Sequence, residues 1–245
     1  MREMIHRMAD VHAHVVPCVD DGPNFIDTAI RMLRTGYAQG VRDIFCTSHS
    51  WGDLEDYQKN FSALQKSAFD AGMEIQLHHG CEIDASAGDM GMIARAVERG
   101  QYHTLGESDY VLLEFDRYTE KEELLAAIRQ YIELRNNHIV IAHIERLYCL
   151  YEDDETISTL QSMGCLFQLN AYSLVEERKE STRNFARNMV AQQRITFLGS
   201  DAHRMEHRPP NVISGMEYIY QRCEAEYADA VCYKNAEEIL LHYHS

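Results

Sequence analysis

The sequence predicts an α/β fold in which seven parallel strands alternate with helices and close into a barrel. Three observations carry the prediction. Short, near-continuous apolar runs alternate with stretches whose apolar residues recur at helical spacing. Side chains of metal-ligating type end six of the seven runs. A barrel brings all strand ends to one face, whereas an open doubly wound sheet would favour its central crevice. Finally, 245 residues suit one α/β barrel, and no Pro/Gly/Ser-rich linker, repeat or low-complexity run divides them. Residues 1–245 are therefore expected to form a single domain.

The elements follow in order. The first strand is expected over residues 8–14, where Asp10-Val-His12-Ala-His14 closes the run and Asp21 follows. A helix over 24–39 places Ile26, Ile30, Leu33 and Tyr37 at helical spacing and stops at Gly40. The second strand, 42–47, is closed by His49. The next helix, 54–71, aligns Leu54, Tyr57, Phe61, Leu64 and Ala68 and is followed by Gly72. The third strand, 74–83, carries Glu82, and a shorter helix covers 90–99. The fourth strand, 110–115, carries Glu114. Thr119 with Glu122 three residues on reads as a capping box, opening a helix to Arg135 with Leu125, Ile128 and Ile132 inward. The fifth strand, 138–143, ends in His143, and a helix over 156–163 stops at Gly164. The sixth strand, 165–170, leads to a helix over 176–193. The seventh, 195–200, runs into Asp201-Ala-His203, and helices over 217–228 and 236–243 finish the chain.

Bulk properties narrow the function classes. Formal net charge is −16, which argues against tracking a nucleic-acid backbone. Apolar stretches are too short for a bilayer span of roughly 20 residues, and the N-terminus has no signal-peptide core. The seven cysteines form no C-x-x-C pair, and Cys46, Cys81 and Cys165 lie in apolar runs. They read as reduced core residues of a cytoplasmic protein. No Gly-rich dinucleotide fingerprint follows the first strand.

The strand-end residues carry the chemistry. Side chains two apart on a strand share a face, so His12 and His14 can chelate one ion, and Asp201 and His203 likewise point the same way. Singly, each is weak evidence: a lone histidine at a strand end is usually a satisfied core residue. Six together point to one metal centre built from His12, His14, Asp21, His49, Glu82, Glu114, His143, Asp201 and His203. Mixed imidazole and carboxylate ligands without thiolate suit manganese, iron or zinc. Asp10 is expected to orient a ligand histidine by hydrogen bonding rather than to bind metal. His78, His79, His103, His138 and His207 are assigned ordinary roles. Arg146, three residues past His143, and Arg208, five past His203, offer planar donor forks matched to phosphate oxygens. Two arginines beside a metal cluster favour an anionic, phosphorylated substrate.

Asp10-Val-His-Ala-His-Val-Val-Pro17 through Val-Asp-Asp-Gly-Pro23 resembles the opening of the polymerase and histidinol phosphatase (PHP) superfamily, and within it the bacterial capsular-polysaccharide tyrosine-phosphatase branch. Thr-Ser-His49, Gly-Cys-Glu-Ile83, Leu-Leu-Glu-Phe115, Ile-Ala-His-Ile-Glu-Arg146, Ser-Asp-Ala-His203 and Arg-Pro-Pro210 continue the match in order. The resemblance implies a distorted seven-stranded (β/α)7 TIM-like barrel and three divalent metal ions, often manganese, with iron or zinc as alternatives. It implies one ion at His12, His14, Glu82 and Asp201. A second would share Glu82 with Glu114 and His143, and a third would take Asp21, His49 and His203. It also implies phosphate binding by Arg146 and Arg208. The substrate would be a phosphotyrosine protein, a bacterial tyrosine kinase controlling capsular or exopolysaccharide synthesis. Two departures stand out: Cys18 occupies a position where glycine is common, and the segment Ser50-Trp-Gly-Asp-Leu-Glu-Asp56 is acidic where a second histidine or a basic residue is frequent.

The reaction expected is hydrolysis of a phosphate monoester by metal-activated water. No Cys is followed by five residues and then Arg, so the thiol-based phosphatase signature is absent. The rivals are a histidinol-phosphate phosphatase on the same scaffold, an amidohydrolase, and a non-catalytic metal-binding regulatory partner. Many amidohydrolases need a bridging Lys where this chain has Glu114. Trp51 and Tyr57 are candidates for a wall beside a phosphotyrosine ring, and Asp53, Glu55 and Asp56 for a carboxylate facing the ammonium of histidinol phosphate.

Overall fold

The computed structural model describes residues 7–86, 89–175 and 179–241. Among the described residues every strand pairing is parallel and every strand but β3 leads into helical structure, as apolar runs separated by amphipathic stretches require. The strands are β1 (Met8–Ala13), β2 (Val41–Cys46), β3 (Gln76–His79), β4 (Glu82–Asp84), β5 (Tyr110–Glu114), β6 (His138–Ile141), β7 (Leu166–Asn170) and β8 (Phe197–Gly199). They form a three-stranded sheet, β1-β2-β3, and a five-stranded sheet, β4-β5-β6-β7-β8.

The expected third strand is thus two strands, and the seven become eight. The reason is local. A Cβ on Gly80 would stand 2.9 Å from Thr47 Cγ2. The Gly80 N–H donates to the Tyr57 hydroxyl at 3.3 Å, and that hydroxyl donates to the Cys46 carbonyl at 2.9 Å. A tyrosine side chain therefore takes the place of the ladder at the break. Isolated parallel bridges, His49 with Glu82 and Ala13 with Ala202, link the two sheets at the break and at the outer edges.

The helices are α1 (Ile26–Ala38), α2 (Leu54–Asp70), α3 (Met90–Glu98), α4 (Lys121–Leu134), α5 (Asp154–Ser162), α6 (Glu180–Ala191), α7 (Ile213–Tyr220), α8 (Ala225–Asp229) and α9 (Asn235–Leu241). Asp53, Asp89 and Asp153 cap α2, α3 and α5 by accepting backbone N–H bonds. The capping box expected at Thr119 is not formed: the residue before α4 is Glu120, with no side-chain cap bond. α4 buries Leu124, Ile128 and Tyr131, so its inward face lies one residue before the Leu125–Ile132 register, and Ile132 is exposed. The helix expected over 217–228 is two, α7 and α8, and a π-helical turn, Ala230–Lys234, joins α8 to α9. The starts and ends expected at 176–178 and 242–243 lie outside the described residues.

Most of the core lies between sheets and helices. A second, smaller cluster joins Ala9 and Val11 of β1, Phe45 of β2, Leu112 of β5, Val140 of β6 and Phe197 of β8. Residues of both sheets meet there, against Ala236 and Ile239 of α9. Cys46, Cys81 and Cys165 are buried, and all seven cysteines are free thiols. Among the described residues, no helix is long and apolar enough to cross a membrane.

Candidate metal centre

Parallel strands deliver their C-terminal ends to one side, and the nine strand-end residues gather there. His12 lies on β1 and His14 just past it; His49 follows β2. Glu82 opens β4 immediately after the strand break, Glu114 closes β5, and His143 lies two residues past β6. Asp201 and His203 follow β8.

Three groups of potential ligand atoms share members: His12, His14, Glu82 and Asp201; His14, Asp21, His49 and His203; and His49, Glu82 and Glu114. Glu82 is the hub. Its Oε2 lies 3.2 Å from His12 Nε2, 3.1 Å from His14 Nε2 and 3.2 Å from His49 Nδ1. Its Oε1 is 2.8 Å from His143 Nε2, which also approaches Glu114 at 3.3 Å. Asp21 Oδ1 lies 3.1 Å from His203 Nε2 and 3.7 Å from His49 Nε2.

The donor set fits a metal on two grounds. First, the tautomers are fixed from outside. His12 donates through Nδ1 to Gln168 Oε1 at 3.0 Å, His14 through Nδ1 to Asp20 Oδ2 at 2.7 Å, and His203 through Nδ1 to the Asp201 carbonyl at 2.9 Å. Each thereby turns Nε2 toward the carboxylates. Second, His49 Nδ1 and His203 Nε2 are buried with no hydrogen-bond partner although carboxylate oxygens lie within 3.2 Å. Lone pairs converging on a shared point have that geometry; hydrogen bonds do not.

The electrostatics agree. Among the described residues, the carboxylates of Asp20, Asp21, Glu82, Glu114 and Asp201 pair with imidazoles and with just two guanidinium groups, Arg146 and Arg208. Burial opposes charge on His14, but Asp20 and Glu82 outweigh it and raise its pKa well above the ordinary value. Burial and Arg146 push His143 down, and hydrogen bonds to Glu114 and Glu82 outweigh them, lifting it to about 9. Burial would raise Glu82, yet the surrounding histidines hold it well below the usual carboxylate range. His203 is pushed down to about 3 by burial and by His14. An excess of buried carboxylate that draws protons onto imidazoles is an environment in which divalent cations compete with protons.

Both arginines converge on Asp201. Arg146 Nη2 donates to Asp201 Oδ2 and, at 2.6 Å, to the Tyr172 hydroxyl; Arg208 Nη1 reaches both Asp201 oxygens at 3.2 and 3.1 Å. Burial of the Asp201 carboxyl would raise its pKa, but Arg146, His12 and Arg208 hold it far below the usual range. His143, Asp201 and Arg208 have φ of 29°, 51° and 56°, in the left-handed region that side chains disfavour.

Sequence reasoning missed the supporting residues. Gln168 and Asn170 of β7 supply the one strand end without a ligand-type residue. Gln168 Oε1 accepts from His12 and from the His143 backbone N–H at 2.7 Å, and its amide donates to Asn170 Oδ1. Asn170 Nδ2 donates to Asp201 at 3.1 Å and to the Tyr172 hydroxyl at 3.3 Å. The Tyr172 oxygen thus accepts from two donors, leaving its own O–H to point elsewhere. Asp20 adjoins Asp21 in sequence, and nothing in the pattern separated their roles. Asp10 does not orient a histidine ring. It accepts from the Ser200 backbone and hydroxyl at 2.8 and 2.6 Å, tying β1 to the end of β8.

Trp51 is 62% exposed and stacks on His49, with ring centroids 5.5 Å apart. Tyr57 is core. His78 pairs with Asp43, His79 stacks on Phe61, and His138 packs on Tyr110. His207 lines a cavity beside Arg208 rather than serving the core.

A close approach makes one position testable. A Cβ on Gly199 would stand 2.7 Å from His12 Cβ and 2.9 Å from Gln168 Nε2. Gly199→Ala is expected to cost ~1–3 kcal/mol by overpacking, read by urea unfolding, and to lower metal content per chain by displacing His12. Unchanged stability and metal content would show that the site yields freely.

A family model described as capsular polysaccharide synthesis, CpsB/CapC, matches residues 8–241. The tyrosine-protein phosphatase CpsB of Streptococcus agalactiae serotype V is 29% identical over 243 residues, covering 95% of this chain and 98% of that protein. A structure from work on YwqE of Bacillus subtilis and CpsB of Streptococcus pneumoniae, described as unique metal-dependent tyrosine phosphatases, superposes with a TM-score of 0.86 at 23% identity, covering 96% and 95% of the two chains. The phosphotriesterase of Mycobacterium tuberculosis shares the fold at a TM-score of 0.61 and 12% identity, covering 97% and 94%.

Proposed function

Because the chain belongs to the CpsB/CapC capsular polysaccharide synthesis family, we propose that it is a metal-dependent phosphomonoesterase acting on phosphotyrosine in a protein. One observation carries the substrate class. A cavity of about 370 Å³, whose lining includes Arg146, Arg208 and Tyr172 of the site together with Arg117, Tyr148 and Lys179, contains no carboxylate among the described residues. A dianionic monoester on an aromatic ring meets complementary charge and apolar ring faces there. The ammonium of histidinol phosphate would meet cations. The acidic segment after His49 does not remedy this: Asp53 caps α2, and Glu55 and Asp56 are exposed outside the cavity lining.

The proposal is three ions: one at His12, His14, Glu82 and Asp201, one at Glu82, Glu114 and His143, and one at Asp21, His49 and His203; the first set matches one ligand-atom group, the third lies within another that adds His14, and His143, outside the groups, approaches Glu82 and Glu114 at 2.8 and 3.3 Å, where the third group has His49 instead. Manganese is the first choice, with iron or zinc as alternatives. When bound, divalent metal lowers the pKa of water and neutralises charge on phosphoryl oxygens. The chain's own residues do the rest. Arg146 and Arg208 position the phosphoryl group and stabilise its charge, and the buried Nε of Arg208, without a protein partner, is a further donor. The O–H of Tyr172, whose lone pairs already accept from Arg146 and Asn170, donates to a phosphoryl or leaving-group oxygen. Gln168 and Asp20 hold the His12 and His14 rings. The proposed architecture is one distorted seven-stranded barrel with a broken third strand, forming one cytoplasmic domain. The proposed partner is a bacterial tyrosine kinase controlling polysaccharide synthesis.

Side-by-side kinetics test the substrate. A phosphotyrosine peptide is expected to exceed histidinol phosphate in kcat/KM by at least about tenfold, the equivalent of ~1.4 kcal/mol of misplaced charge. A higher value for histidinol phosphate would overturn the tyrosine assignment and leave the metal centre standing.

A further inference from the structure

Two adjacent turns are linked to each other twice. The 3-10 turn Ile144–Arg146 follows β6, the 3-10 turn Ala171–Leu174 follows β7, and the two strands pair in parallel. Arg146 and Tyr172 form the outer link. Both line the cavity, and Arg146 Nη2 donates to the Tyr172 hydroxyl at 2.6 Å. Their chain neighbours Glu145 and Ser173 form the inner link. Both are buried, at 0% and 1% exposure, and Ser173 Oγ donates to Glu145 Oε1 at 2.8 Å. The Tyr151 hydroxyl meets the Glu145 carbonyl at 2.7 Å and Thr182 Oγ1 of α6 at 2.9 Å. The first turn is therefore tied both to the second turn and to α6.

Packing alone does not call for an acid at the inner link. Glu145 Oε2 is buried with no hydrogen-bond partner. A carboxyl oxygen left unpaired away from water costs stability, and an apolar side chain of similar volume often folds at lower cost. What the carboxyl supplies is a directional acceptor, which fixes the separation of the two turns as a hydrocarbon cannot. Arg146 depends on that separation. Its Nη2 serves Asp201 and Tyr172 at once, so a shift of either turn re-aims the guanidinium. A misplacement of about 1 Å at a reacting group can cost ~100-fold in rate. We infer that Glu145 and Ser173 are a positioning pair, which holds Arg146 in register with Tyr172 so that its guanidinium meets phosphate. Neither residue touches the substrate. The inference rests on the phosphatase reading above and adds to it the residues that aim its clamp.

Inorganic phosphate, titrated calorimetrically into metal-loaded protein, tests the pair without turnover. Ser173→Ala removes a single oxygen and is expected to weaken phosphate binding about 5–10-fold, the scale of one net hydrogen bond, at unchanged metal content. Glu145→Leu should match it. Glu145→Gln keeps an oxygen that accepts from the Ser173 hydroxyl, and should stay within about twofold of the unaltered protein. The decisive comparison is a double-mutant cycle. In an Arg146→Ala background, where Arg208 is left to hold the ion, neither Ser173→Ala nor Glu145→Leu should weaken phosphate further, because a positioning residue acts only through the residue it positions. Any fall in melting temperature, by contrast, should be the same in both backgrounds. Unchanged affinity in Ser173→Ala, a glutamine variant as weak as the leucine one, or an undiminished loss in the Arg146→Ala background would overturn the pair. The expected pattern in a protein that does not turn over phosphotyrosine peptides would support the pair and count against the substrate reading alone.

Discussion

Dialysis against a chelator is expected to reduce phosphatase activity to background, and added manganese to restore it. The reason lies in the charge balance of the centre. Glu82 and Asp201 are buried among histidines whose Nδ1 bonds turn Nε2 inward, and His49 Nδ1 and His203 Nε2 have no hydrogen-bond partner. Activity is not the only readout. Metal that binds the folded chain and not the unfolded one stabilises it, by ~4 kcal/mol at a thousandfold excess over Kd, so the melting temperature should fall on chelation and recover with metal. Uptake should weaken as pH falls, because imidazole and carboxylate ligands must shed protons. His12→Ala should lose metal and activity, whereas His138→Ala, an exposed residue packed on Tyr110, should keep both. Full activity in protein shown metal-free by elemental analysis would reject the metal centre.

Arg146→Ala is expected to lower kcat by about 100–1000-fold, the loss of ~3–4 kcal/mol typical of one preorganised donor to developing charge. Arg146 is well placed for this role. Burial would lower its pKa, but Asp201, Tyr172 and Glu145 hold it well above the ordinary value, so the guanidinium stays charged. Arg146→Lys keeps the charge and loses the planar fork, and should fall between the two. The comparison requires metal content measured alongside kinetics, since Arg146 contacts the candidate ligand Asp201. Near-normal kcat at full metal loading would assign Arg146 to holding Asp201 rather than phosphate.

The residues most visible in the sequence were those whose chemistry and position coincide. Histidine and carboxylate at the end of an apolar run are conspicuous, and parallel topology carries them to one side. Gln168 and Asn170 were invisible for a corresponding reason: amides in a buried strand look like ordinary polar interruptions until their partners, His12 and Asp201, arrive from strands far away in sequence. Tyr172 likewise reads as one of many aromatics. The break between β3 and β4 was hidden because its cause, the Tyr57 hydroxyl reaching Gly80, crosses from α2. At Thr119 a local motif misled, since the chain there turns back on Asp116, whose carbonyl accepts the Thr119 N–H at 2.9 Å, before α4 begins. Ile132 was assigned inward from a spacing that fits two faces of one helix; tertiary packing chose the face with Leu124 and Tyr131.

The left-handed backbone at His143, Asp201 and Arg208 bears on how this chain can evolve. Each holds a conformation that costs a side-chain-bearing residue on the order of 1 kcal/mol or more and glycine far less. Selection for thermal endurance alone would drift these three codons toward glycine, erasing two candidate ligands and one arm of the phosphate clamp together. A laboratory lineage propagated without a turnover requirement should therefore become hardier and inert by the same substitutions. The persistence of His143, Asp201 and Arg208 at such angles is what a history of selection on chemistry, rather than on durability, would leave behind.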